Sequence, residues 1–212
     1  MTRAIVAVVL LVAFNLVLLF PEITSGVVAK NDAVMHLLLA EMAVEAIEHG
    51  RNFTDPWQGT MNLRFPFFHY YQHLPHLLVA QFHVVTFEVF PVADLIRWST
   101  YLLLSLFLLT IFWSLRPVGF GDLTAGMGAL VAPLAATDSL FGFGYASYTF
   151  LGFGLYSQLW AMVFFAPAIA LGCGVIRGGR GYFWTTLLLA ALLMSHLMYG
   201  IWLLSASVCW LS

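Results

Sequence analysis

The chain has 212 residues, of which 62% are apolar, 16% aromatic and only 8% charged; eight Lys/Arg against ten Asp/Glu leave a formal charge of −2. Soluble domains of this size carry about 25% charged residues, and here the mean hydropathy is +0.93. Such a chain cannot clothe a water-facing surface, which excludes a soluble enzyme, a basic nucleic-acid binder and a disordered segment, and places the protein in a membrane.

In chain order, residues 4–20 form the first apolar run, broken only by Asn15. With its flanks it reaches the ~20 residues needed to cross hydrocarbon. Phe20, Pro21 and Glu22 close it where a signal peptide would have small residues, so it reads as an uncleaved anchor with Arg3 on the cytoplasmic side. Residues 21–97 then hold eight of the ten acids, four of the eight basic residues and six of the seven histidines. This is a large outer loop. Within it, 32–49 has helical periodicity, with Met35, Leu38, Leu39, Met42 and Ile47 as the apolar stripe and Glu41, Glu45 and Glu48 as the polar one; Gly50 stops the helix. A second interfacial helix is expected over 76–90, which is apolar but interrupted by His83 and Glu88. Further spans are expected at 98–115, 121–137, 159–176 and 182–211, with an aromatic, Gly-rich outer loop at 138–158. The fold class is therefore all-α, a single polytopic membrane domain of about five spans. Arg116, Arg177 and Arg180 then share the side of Arg3, which satisfies the positive-inside rule. The expected setting is a prokaryotic cell membrane, N-terminus cytoplasmic and first loop outside. The last apolar run stops at Ser212 without a polar flank, and the reading favours the N-terminal part of a longer chain. Cys173 and Cys209 lie in apolar runs and show no metal or disulfide spacing.

Few residues carry chemistry. Asp32 and His36, four apart, share one helix face just after the first span. Asp32 suits a general base or a cation ligand, and equally a helix start, where acidic side chains satisfy free N–H groups. The segment 55–76 (DPWQGTMNLRFPFFHYYQHLPH) interleaves prolines with aromatic rings. Its His69, His73 and His76 have spacings that could gather three imidazoles around zinc, but no acid or cysteine lies among them and Pro75 disturbs the helix. Interfacial packing is the alternative. Asp138, at the outer end of the third span, faces the side of Asp32; it is a second acid for a cation site or an ordinary helix-end carboxylate. His196 is ionisable within the last apolar run, either facing a cavity or bonded to a neighbouring helix.

Residues 31–81 run ND-x3-H, an amphipathic helix ending in HG, W-x-G, and FPFFHYYQHLPHLLVAQ. This resembles the multispanning family labelled 6-pyruvoyl-tetrahydropterin synthase-related membrane protein, which is itself similar to the GT-C glycosyltransferases. The resemblance implies a sugar donor on a polyprenyl phosphate and an inverting transfer outside the cytoplasm. It implies Asp32 as catalytic base or metal ligand, with His36 orienting it, and Asp138 as a second acidic contact for Mg or Mn. Arg64 would receive the lipid phosphate, with His69, Tyr70, Tyr71 and His196 as further substrate contacts. Many relatives carry R-G-x-x-E in the second outer loop; residues 139–158 contain neither Arg nor Glu, and Tyr145, Tyr148, Tyr156 and Gln158 stand in that stretch. A non-catalytic scaffold or assembly subunit is thus the alternative reading, and a transporter half a third. The expected partners are the bilayer and a polyprenyl-linked sugar; no nucleic acid is expected.

Overall fold

The computed structural model describes residues 2–24, 31–58, 65–134, 144–149 and 153–203. These are mostly helical; the strand structure among them is one two-residue antiparallel pairing of β1 (Trp57–Gln58) with β2 (Phe65–Pro66), in which Trp57 lies opposite Pro66. The helices are α1 (Thr2–Leu18), α2 (Pro21–Thr24), α3 (Asp32–Glu48), α4 (Leu74–Val85), α5 (Val92–Val118), α6 (Asp122–Val131), α7 (Tyr156–Gly178) and α8 (Tyr182–Ser195). Among the described residues, three segments are long and apolar enough to cross a membrane: Ile5–Thr24, Val92–Val118 and Tyr156–Gly178. At ~1.5 Å per residue, α6 with its 10 residues and α8 with its 14 are shorter than a crossing requires.

α5 and α7 form the centre. Leu104 and Phe107 of α5 are completely buried against Leu159 and Met162 of α7, and Val8 and Val12 of α1 join the same core. Gly128 of α6 lies so close to Leu115 of α5 that a Cβ there would stand 2.6 Å from its Cδ1, so absence of a side chain is what lets these two helices touch. The outward faces are apolar as well: Leu10, Phe14, Val17 and Trp113 are more than half exposed. A continuous exposed surface of this kind belongs against lipid.

Two contacts fix helix direction. Near their starts, Ser99 of α5 and Tyr156 of α7 hydrogen-bond through their hydroxyls at 2.8 Å. Near their ends, Arg177 donates to the Val118 carbonyl at 2.8 Å. α5 and α7 therefore run the same way, and α6 lies between them in sequence, returning the chain. Arg116 pairs with Asp122 at 2.5 Å and shares a surface hollow with Ile5 and Val9 of α1, so the start of α1 and the ends of α5 and α7 lie at one end of the bundle. Gly119 ends α5 with φ +114, a left-handed conformation that a side chain would oppose.

Several expected boundaries change. The helix expected over 76–90 is α4 and stops at Val85; Thr86 to Glu88 form a turn in which Phe87 and Glu88 both have positive φ. The apolar run 182–211 is not one helix in its described part. It breaks at His196, whose backbone is extended (φ −160, ψ 108), and resumes over 197–203. The chain bends there so sharply that a Cβ on Gly200 would lie 2.2 Å from Leu193 Cδ2. The face that α3 buries is the expected stripe widened by small residues: Leu39 and Met42 are buried, Met35 and Ile47 pack against the same core, Ala33, His36, Ala40 and Ala43 are buried with them, and Leu38 alone of the stripe is exposed. Small residues allow close helix approach, so the alanines pack inward beside Leu39 and Met42.

Candidate functional site

α3, α4 and the start of α7 meet at the end of the bundle opposite Arg116 and Arg177, and a pair of histidines lies at their junction. His36 Nδ1 and His76 Nε2 are 2.9 Å apart, one ring donating and the other accepting. Both residues are completely buried. Their rings stack with centroids 5.2 Å apart and planes 18° from parallel. Tyr71 and Tyr156 pack on both rings and Phe68 stacks on His76. The local sequence explains the placement of His76. Pro75 sits in the first turn of α4, where its missing N–H costs nothing, and His76 follows it facing inward.

Burial penalises the charged form of each ring. Desolvation lowers His36 to about 4. His76 is held well below the usual histidine value, chiefly by desolvation and then by the neighbouring His36 and His73 rings, while the Gln72 and His73 carbonyls pull it back in part. The pair is therefore neutral at physiological pH and shares a single proton along the N···N line. Nε2 of His36 has no hydrogen-bond partner among the described residues.

Asp32 is the first residue of α3, one turn before His36, and is exposed. Asn31 occupies the N-cap position, without a side-chain capping bond. The Asp32 carboxylate acts on Tyr71, whose hydroxyl is raised first by burial and also by this charge, and is lowered by its 3.1 Å hydrogen bond with Ser157 of α7. His36, Tyr71 and His76 thus form one cluster, with Asp32 one turn away along α3. The close approach of Gly154 to α3 supports it from the other side. A Cβ on Gly154, which has φ +69, would stand 2.8 Å from the Ala33 nitrogen.

The remaining expected residues disperse. His69 is exposed and lies 3.6 Å from an Asp55 carboxylate oxygen, Tyr70 is exposed, and His73 packs against Phe68. The three histidines of 69–76 do not converge: the sole group of three possible metal ligands among the described residues is Glu48, His83 and Glu88. His196 belongs to a different region, its ring edge-on to Tyr199 at 5.5 Å. Tyr199 in turn meets Tyr148, which accepts a hydrogen bond from the Gln158 amide at 3.2 Å. Arg64 and Asp138 lie outside the described residues. Sequence reasoning did not find the pairing of His36 with His76, forty positions apart, because no local pattern encodes it.

An apolar groove of about 520 Å³ opens beside the cluster, walled by Leu78, Phe82, Phe90, Trp98, Leu102 and Trp160. Ser99 lines it as well, and it is Ser99 that bonds the Tyr156 hydroxyl over the histidine pair. Comparison with protein-family models, with curated proteins and with solved structures finds no match to this chain.

Proposed function

We propose that the chain is a GT-C-like membrane glycosyltransferase, or the N-terminal module of one, that moves a sugar from a polyprenyl-phosphate donor to an acceptor on the non-cytoplasmic face. The observation that carries this reading is the juxtaposition of an exposed carboxylate, a buried polar cluster and an apolar groove at one end of the bundle. A lipid-linked sugar has the complementary shape, with a long apolar chain for the groove and a polar head for the cluster. Asp32 accepts the proton of the acceptor hydroxyl as that oxygen attacks the anomeric carbon, and the lipid phosphate leaves with the electrons of the broken bond. Tyr71 and the histidine pair hold the carboxylate side of the site in place.

Five spans would fit this function, with the apolar runs 121–137 and 182–211 as the third and fifth. Gathering Arg116 and Arg177 at the end opposite the cluster supports a cytoplasmic placement for that end and an outer placement for Asp32. Mg or Mn, if bound, would be held by Asp32 together with Asp138, which lies outside the described residues.

A photoreactive polyprenyl phosphate tests the binding half of the reading. Crosslinks to peptides containing Phe82, Phe90 or Trp160 are expected. Labelling confined to the lipid-facing side of α1 would contradict the groove's role. A scaffold that keeps the fold without the chemistry is the second reading. It is favoured by Tyr145 and Tyr148, which turn inward to Asn15 and to Gln158 and Tyr199, in the stretch where the resembled family carries Arg and Glu.

A further inference from the structure

Three side chains that the proposed chemistry does not use meet where the ends of α3 and α4 pass each other. Glu48 is the last residue of α3, His83 lies in the last turn of α4, and Glu88 follows in the turn leading to α5. One donor atom of each lies within 4.8 Å of the others. His83 Nδ1 is 2.7 Å from the Phe90 carbonyl. A carbonyl only accepts, so Nδ1 carries the hydrogen and Nε2 of the neutral ring keeps its lone pair, the tautomer that metal-binding histidines adopt. The nearby Glu45 has its own cation in Arg51 at 2.6 Å, whereas Glu48 and Glu88 form no ion pair among the described residues. The turn also holds its ligands together. Glu88 has φ +61, next to Phe87 at φ +54, and its N–H donates to the His83 carbonyl at 2.9 Å. Two successive non-glycine residues are thereby kept in a sparsely populated conformation that delivers Glu88 to the end of α3.

We propose that Glu48, His83 and Glu88 bind a divalent transition metal of the zinc class, clipping α3 to the turn between α4 and α5. One imidazole nitrogen with two carboxylates suits zinc, whereas magnesium and calcium select all-oxygen sites. Glu48 and Glu88 are exposed and His83 is half-buried, so water completes the coordination shell. This site is independent of the transferase reading, since none of its residues belongs to the Asp32 cluster.

Calorimetric titration of zinc chloride into metal-stripped protein in detergent tests it. One zinc per chain is expected, with affinity reduced about tenfold or more in His83→Ala and in Glu48→Gln/Glu88→Gln, and unchanged in Asp32→Asn. Zinc is also expected to raise the melting temperature of the wild type and not that of the double variant, whose zinc-free melting should match the wild type because both positions are at the surface. Absence of zinc binding, binding undiminished in the double variant, equal competition by magnesium, or loss of binding in Asp32→Asn would each overturn the proposal.

Discussion

His36 and His76 bury two imidazoles where each could otherwise be hydrated and charged, and the consequence is a dependence of stability on pH. Their folded values lie below the ordinary 6.5, with His36 at about 4. The unfolded chain therefore takes up protons that the folded chain refuses. The stabilising contribution is complete above pH 6.5, drains away as pH falls from 6.5 towards about 4, and for His36 changes no further below that. Its size for His36 is about 3 kcal/mol. Thermal melting in detergent at pH 7.5 and pH 4.5 checks this: the wild type should lose far more stability on acidification than His36→Leu/His76→Leu. Equal losses in the two proteins would contradict the burial of a neutral pair.

At the scale of elements, the polar cluster depends on how closely the segment before α7 approaches the start of α3. Gly154 makes that contact in a left-handed conformation, with the Ala33 backbone where a Cβ would go. Gly154→Ala should cost about 1–3 kcal/mol and shift Asp32 away from Tyr71. Gly172→Ala, inside α7 with no atom within 4 Å of its Cβ position, is the control and should be neutral or slightly stabilising. Comparable destabilisation of both variants, read by thermal melting, would contradict the specific contact. Much at this scale was legible in the sequence. Long apolar runs and their closing Arg, Pro and Gly residues mark α1, α5 and α7, and the glutamate stripe marks the exposed side of α3. The rest was not legible, for physical reasons. Period marks the stripe of Leu39 and Met42, which are buried, but not that Leu38 on it stays exposed or that Ala33, Ala40 and Ala43 are buried beside His36. The break at His196 contains no proline, and beyond it Tyr199 and Leu203 pack into one core with Ala161 and Ala168 of α7, a contact no local pattern encodes. The histidine pair joins α3 to α4 across forty residues, a contact that only the assembled fold creates.

Across the whole molecule, Arg116 and Arg177 lie at one end and the histidine pair and the groove at the other, with apolar surface between them. That polarity is what a protein needs to hold the head of a membrane-embedded lipid at one interface while its chain remains in the bilayer. Asp32 was legible as a candidate from its position after the first span; His76 and the groove emerged only once α4, α5 and α7 had packed. The most direct test of the central claim is transfer of radiolabelled sugar from a polyprenyl-phosphate donor by purified protein in proteoliposomes, with acceptor supplied on the Asp32 side, comparing the wild type with Asp32→Asn. The account predicts transfer by the wild type that falls by ~10²-fold or more in the variant while donor binding persists. Transfer unaffected by the substitution, or a wild type that neither transfers sugar nor binds the donor, would contradict it.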